Sequence, residues 1–202
     1  PGSSTHMLVN HLLASVGLRQ DDVSIIGVGT GPSAVAAMRS GQIDALSGVE
    51  PVMTLLERSG DMKIVVETIT EKGVRDVFGG SMPAATLYAR ADFIERNAQT
   101  VQALTNAIVR ALLWLQHSTT EDVLGAVPPE YLLGDKALYA ASFERLRSTY
   151  SKDGLIPRKG VDNSYKVLLA HNPAVRRAPV VWINQTFTNA FVEKALQKFK
   201  QQ

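Results

Sequence analysis

Residues 24–44, SIIGVGTGPSAVAAMRSGQID, decide how the rest of the chain is interpreted. The apolar run 25–28 has the length of a buried parallel strand, and the Gly-x-Gly-x-Gly turn after it allows the backbone to bend closely. Pro32 stands where prolines begin helices, and Gly41 stands where a left-handed glycine ends one. A second apolar run follows at 43–49. The stretch therefore predicts a strand–helix–strand unit and an α/β fold with a parallel-rich sheet.

Further apolar runs and helical spacings extend this prediction along the chain. The predicted strands cover 23–28, 43–49, 63–70 and 84–89. The predicted helices cover 8–16, 32–39, 52–58, 92–96, 101–117, 135–150, 161–171 and 188–199, with a short helix after the capping sequence 119–122 and a loop at 71–77. Almost everything after residue 92 is thus predicted to be helical, and a helical layer of that size needs another layer to cover.

Composition excludes several classes of function. The chain has 202 residues, of which 45% are apolar, and it contains no cysteine, so disulfides, thiol catalysis and cysteine metal sites are excluded. A formal net charge of +2 without any run of Lys or Arg argues against nucleic acid as the main partner. No window reaches the length of a membrane span.

No pattern in the sequence indicates a catalytic residue, a metal or a cofactor. The third glycine of the turn comes too early for the dinucleotide fingerprint, and no Walker loop or nucleophile elbow is present. The four histidines, at positions 6, 11, 117 and 171, have no metal-site or triad spacing. We predict a protein that is not an enzyme and carries no metal or cofactor.

Two short segments are candidates for ligand contacts, and each has a structural alternative. Ser3, Ser4 and Thr5 precede a helix, where hydroxyls either cap the backbone or donate to a ligand. Glu50 follows a predicted strand, at the end where ligands bind in open α/β sheets, but it also precedes a helix that an acidic residue would stabilise.

Several segments carry a family resemblance. They are PGSSTHMLVNHLLASVGL, VSIIGVGTGPSAVAAMRSGQIDAL, SGVEPV, GLIPRKGVDNSYKVLL and NQTFTNAFVEKAL. In their order and spacing they resemble the solute-binding proteins of ABC importers in the nitrate/sulfonate/taurine and thiamine-precursor group, the NMT1/THI5-like family. The resemblance implies a type II periplasmic-binding-protein-like fold, in which two α/β lobes close on a ligand. By position, residues 1–78 correspond to the second lobe, 79–90 to a hinge crossing, and 91–202 to the helical C-terminal part of the first lobe.

The resemblance also implies a site and partners. Its binding positions map onto Ser3, Ser4, Thr5, Gly29, Thr30, Glu50 and Ser81. It implies a small polar or anionic ligand, such as a sulfonate, nitrate or a pyrimidine-like compound. It further implies an ABC transporter membrane permease as partner and a periplasmic location, although the chain as given has no export signal.

The resemblance leaves two alternatives and one expectation. An enzyme of thiamine-pyrimidine biosynthesis shares the fold, but the fungal enzymes carry a cysteine-rich segment that is absent here. The effector domain of a regulator would need a helix-turn-helix segment, which is also absent. Family members carry most of the first lobe before the point where this sequence begins, so we expect an incomplete first lobe, exposed apolar surface and self-association through it. Residues 1–6 are either native or the remnant of a tag.

Overall fold

The computed structural model describes residues 2–132, 134–179 and 182–199, and regular structure in these residues is helical. The α-helices are α1 Ser4–Ser15, α2 Pro32–Arg39, α3 Val52–Arg58, α4 Glu71–Phe78, α5 Ala91–Arg96, α6 Ala98–Leu115, α7 Thr120–Ala126, α8 Lys136–Leu146, α9 Arg158–His171, α10 Pro173–Arg177 and α11 Ala190–Phe199. Short 3₁₀ turns occupy Gln20–Asp22, Pro129–Leu132, Arg147–Thr149 and Ile183–Gln185.

The predicted α/β class with a parallel-rich sheet is wrong for the residues described, because no two of their segments pair as strands. The four predicted strands are extended or bent segments instead, and apolar side chains on them face solvent: Val65 is 92% exposed and Tyr88 is 89% exposed. An apolar run indicates residues that can be buried, but a strand also requires a neighbouring backbone to pair with. The predicted type II fold is built on such a sheet, so that prediction is also wrong for the residues described.

The capping residues, prolines and glycines at helix ends predicted the structure better than the apolar runs did. Pro32 lies in the first turn of α2, and Gly41 follows the helix with a φ of +70°, as predicted. Thr119 and Asp122 form a reciprocal capping box at the start of α7, and the side chain of Asp135 caps α8. These helices are confirmed because their caps are encoded within a few residues of each end.

The predicted loop at 71–77 is wrong, since these residues form α4. The Thr70 side chain accepts a hydrogen bond from Gly73 N, and Gly79 ends the helix in the left-handed conformation with a φ of +75°. Val74, Val77 and Phe78 provide the helical spacing that the polar composition concealed.

The buried core is small and divided. Between α2 and α3, Ala34, Val35, Val52 and Leu56 form a cluster in which Leu56 is fully buried. Elsewhere α11 packs along α6, where Val109 and Ala195 are fully buried.

One side chain links the segment before α9 to the start of α11. The Asn189 amide accepts from Ile156 N at 2.9 Å and donates to Ile156 O at 3.0 Å.

The chain exposes more surface than a compact protein of its mass. Its accessible area is 13742 Å², whereas a compact monomer of this mass exposes about 9,300 Å². Leu87, Tyr88, Val65, Ile26 and Trp182 are among the large apolar side chains that contribute to the excess. The expected exposure of apolar surface is therefore observed. Within the described residues, no helix combines the length and apolar character that crossing a bilayer requires.

Candidate functional site

The N-terminus of α1 collects hydroxyl groups. Ser3 caps the helix, its Oγ accepting from His6 N at 3.3 Å, and the same Oγ lies 2.9 Å from Thr5 Oγ1. Ser47 Oγ donates to the Thr5 carbonyl at 3.1 Å, which ties this helix end to the chain three residues before Glu50. The structure thus brings Ser3, Thr5 and the segment leading to Glu50 together, whereas Ser4 is the exposed first residue of α1.

The glycine turn before α2 places Gly29 and Thr30 at the surface. Gly29 has a φ of +77°, and a Cβ built on it would lie 2.8 Å from Ser33 Oγ. Because Ser33 Oγ donates to Val28 O at 2.6 Å, the turn is closed across the space that a side chain at position 29 would need. The backbone here requires glycine.

Ser81 makes its described backbone contacts with α9. It is exposed, and the carbonyls of Gly80 and Ser81 both accept from Asn163 Nδ2 of α9 at 3.3 Å. Pro83 is seated against Gly160 of α9 so closely that a Cβ on Gly160 would lie 2.7 Å from Pro83 Cδ. In the part of the chain that the structure describes, no hydrogen bond links Ser81 or Thr30 to Glu50.

Glu50 is the most buried of the predicted site residues, with a side chain only 5% exposed. Its Oε2 accepts from Thr54 N of α3 at 3.0 Å, so it satisfies a free N–H group at that helix start. Arg145 Nε of α8 lies 3.3 Å from Oε1, and the same guanidinium also pairs with Glu57. That approach balances charge without hydrogen-bonding geometry, since Oε1 has no hydrogen-bond partner among the described residues. Oε1 is therefore a buried oxygen that the ion pair with Arg145 compensates.

Glu50 faces a cavity of about 120 Å³ between the 50–51 turn and α8. The remaining lining residues are Pro51, Tyr131, Tyr139, Ser142, Phe143, Leu146 and Tyr150. Ser142 is 5% exposed, and its Oγ also lacks a hydrogen-bond partner in the described part of the chain. Burial, together with the neighbouring Tyr139, raises the pKa of Tyr150. Four aromatic rings line the cavity, whereas Glu50 Oε1 and Ser142 Oγ are buried atoms that solvent in the cavity does not reach.

Sequence reasoning did not assign this cavity. Tyr139, Ser142, Phe143 and Leu146 recur at helical spacing, and that pattern could have indicated one face of α8. No short sequence motif connects this face of α8 with Glu50, because the helix and Glu50 are far apart in the sequence.

A second junction joins α1, α4 and α9 through two histidines. His11 Nε2 lies 2.7 Å from Val77 O, so this nitrogen carries the proton and donates. His11 Nδ1 then accepts from His171 Nε2 at 3.0 Å. Burial lowers the pKa of His171, and His11 and Arg176 lower it further. In the described ranges, no group of three or more His, Asp or Glu side chains could hold a metal ion.

Comparison with known proteins identifies the family. The model of the NMT1-like family matches residues 1–126, well over half of the chain. The chain belongs to the NMT1-like family.

Two relatives of this family member are informative. A Bacillus subtilis (strain 168) protein whose name describes it as an inferred binding protein, YtlA, is 27% identical over 125 residues, which is 61% of this chain and 35% of that protein. A solved structure of a protein from Bordetella bronchiseptica RB50 is 46% identical with a TM-score of 0.89, covering 99% of this chain and 63% of that one. The chain therefore spans about a third of the first relative and under two thirds of the second.

Proposed function

We propose that this NMT1-like chain is the substrate-binding component of an ABC transporter. It captures a small polar or anionic organic solute, such as a sulfonate, nitrate or a pyrimidine-like compound, and passes it to a membrane permease. In this proposal it works in the periplasm and performs no reaction. Membership of the family supports a binding role, as does the name of the Bacillus relative.

The observation that carries the proposal is the hydroxyl cluster at the start of α1. Ser3 and Thr5 stand at the N-terminus of a twelve-residue helix, whose free N–H groups and partial positive charge favour an anionic or polar group. Ser47 ties this helix end to the segment that leads to Glu50, and in the proposed site Glu50 supplies an acceptor. In the proposed site Ser4, Gly29, Thr30 and Ser81 contribute further donors, and residues 79–90 form the crossing about which it closes.

Calorimetric titration with taurine, sodium nitrate and a hydroxymethyl-aminopyrimidine tests the proposal, after native mass spectrometry for any retained ligand. We expect one probe to bind with a Kd below about 1 mM, and the double variant Ser3→Ala/Thr5→Ala to weaken it roughly tenfold. The control is Ser15→Ala, which removes a hydroxyl from the opposite end of α1, where it donates only to Leu12 O. Absence of any retained ligand and of any binding would contradict solute capture.

We also propose that copies of the chain associate through the exposed apolar segments. Val65 and Tyr88 lie on two of them and are almost fully exposed. Size-exclusion chromatography with light scattering should show a mass that rises with concentration, and Val65→Lys/Tyr88→Lys should reduce the association. A monodisperse monomer at all concentrations would contradict it.

A further inference from the structure

One face of α9 contacts the start of the crossing at residues 79–90. This α9 face consists of three residues at the spacing of one helical turn: Gly160, Asn163 and Ser164. Asn163 Nδ2 donates to the carbonyl oxygens of both Gly80 and Ser81, each at a distance of 3.3 Å. Because an amide nitrogen carries two N–H groups, one side chain satisfies both carbonyls and fixes the backbone that carries the Ser81 hydroxyl.

Gly160 provides the space that Pro83 occupies. A Cβ built on the buried Gly160 would lie 2.7 Å from Pro83 Cδ and 3.2 Å from Pro157 Cγ. Both neighbours are proline rings, which cannot turn away as a flexible side chain could. Glycine is a poor helix former compared with alanine, so its presence inside α9 requires a reason, and the close approach of Pro83 supplies one. Met82, between these contacts, has its Sδ 3.5 Å from Ser164 Oγ.

The second part of the crossing lacks this support. Residues 84–89 are all exposed, and no backbone–backbone hydrogen bond among the described residues involves them. Regular structure resumes at Arg90, whose carbonyl accepts from Phe93 N and Ile94 N at the start of α5. A segment with little burial and few hydrogen bonds moves at low cost in free energy.

The two glycines of the crossing are not its free part. Gly79 N donates to Arg75 O at 2.8 Å, and the Gly80 carbonyl accepts from Asn163. A glycine pair is the usual sequence signal for a flexible point, because glycine has the widest choice of backbone angles. Here tertiary contacts hold both glycines, so the freedom lies after Pro83.

We propose that the α9 face positions Ser81 and that the bend of the crossing falls in residues 84–89. This inference rests on the proposed solute-binding function, in which Ser81 contributes a donor and the site closes about the crossing. Asn163 is a positioning residue: it acts through the backbone that it holds. Gly160 serves the same purpose by admitting Pro83.

Spin labels test the division of the crossing without any ligand. Because the chain contains no cysteine, Ser81→Cys and Thr86→Cys each provide one attachment site for a nitroxide. Electron paramagnetic resonance should show several-fold slower nanosecond motion at position 81 than at position 86. Asn163→Ala should raise the mobility at position 81 to that at position 86. Asn163→Asp should do the same, because its carboxylate oxygen would face two carbonyl oxygens.

Asn97→Ala is the matched control. The Asn97 amide also donates to a carbonyl, Phe93 O at 3.0 Å, but this bond lies at the junction of α5 and α6. Both labels should keep their mobility in this variant. Equal mobility of the two labels in the parent chain, or equal effects of Asn97→Ala and Asn163→Ala, would overturn the proposal.

Two helical glycines give a second measurement that needs no label. Gly125 of α7 has nothing within 4 Å of its Cβ position, so Gly125→Ala should raise the urea denaturation midpoint through helix propensity. Gly160→Ala improves the same propensity but forces Pro83 away from α9, so the midpoint should fall. A rise in both variants would show that Pro83 does not depend on the α9 face.

Binding separates positioning from solute capture. For whichever of taurine, nitrate and the aminopyrimidine binds, Ser81→Ala and Asn163→Ala should each weaken binding. The double variant should bind no more weakly than the weaker single variant, since both changes remove the same contact. Additive losses would overturn the positioning role. If no probe binds, solute capture fails, whereas label mobility and the urea midpoints still decide whether α9 holds the crossing.

Discussion

Two junctions connect the first 78 residues with the helices after residue 90, and they treat their polar groups differently. At the histidine junction, His11 uses both ring nitrogens, one toward Val77 O and one toward His171. At the Glu50 junction, one carboxylate oxygen and the Ser142 hydroxyl have no hydrogen-bond partner among the described residues, although Arg145 forms an ion pair with that oxygen. Side-chain hydrogen bonds hold the helices together at the histidine junction, whereas the Glu50 junction depends on ion pairing and packing.

Removing His11 breaks the complete junction and should have the largest effect on stability. His11→Ala leaves Val77 O and His171 without their partner, so the free energy of unfolding should fall by about 2–3 kcal/mol. Urea denaturation measures this loss. The exposed His117 supplies the control, since His117→Ala should change stability by less than about 0.5 kcal/mol. Equal losses from both substitutions would show that the junction has no special role.

Two buried serines test the same comparison, and the expected change in the free energy of unfolding is of intermediate size. Ser118 Oγ donates to Trp114 O at 2.7 Å, so Ser118→Ala should cost about 1 kcal/mol. Ser142 is also buried but its Oγ has no such partner, so Ser142→Ala should be neutral or slightly stabilising in the same urea experiment. A loss of more than about 1 kcal/mol at Ser142 would mean that its hydroxyl is already satisfied.

A pH titration gives the smallest effect. Because the folded-state pKa of His171 lies below its ordinary value of 6.5, the unfolded chain binds this proton more readily. Stability should therefore be greatest above pH 6.5 and fall as the pH drops below 6.5 through the folded-state pKa. In the His171→Gln variant, the urea denaturation midpoint should change less with pH in this window.

The carboxylates provide an internal check on that titration. Hydrogen bonds from Thr70 lower the pKa of Glu67, and those from Ser59 and Arg39 lower the pKa of Asp61. Any stability that these groups supply disappears at lower pH, as they become protonated below their unfolded values. A fall confined to pH below about 4.5 would assign the acid sensitivity to carboxylates and not to His171.

The sequence predicted what is encoded locally. Pro32 and Gly41 bound α2, and the Thr119 capping box begins α7, because each signal acts within one helical turn. Strands could not be predicted in this way. The runs at 63–70 and 84–89 are apolar enough for a sheet, but pairing depends on a neighbouring backbone, which short-range patterns do not specify.

The candidate site could likewise be predicted from the sequence only in its locally encoded parts. Glu50 could be chosen from its turn and the helix that follows, and the hydroxyls before α1 from their capping position. Arg145 and Ser142 approach Glu50 only through the packing of α8 against α3, so no short motif joins them. Ser81 stays a prediction, and the structure places its segment on α9.

The Asn189 amide gives Ile156 the two hydrogen bonds that a neighbouring strand would otherwise supply. The side-chain amide of Asn189 can deamidate when the protein is stored. Deamidation would replace the donating nitrogen with an oxygen facing the Ile156 carbonyl, and acidic species accumulating on ion exchange would mark molecules whose C-terminal helix has begun to loosen.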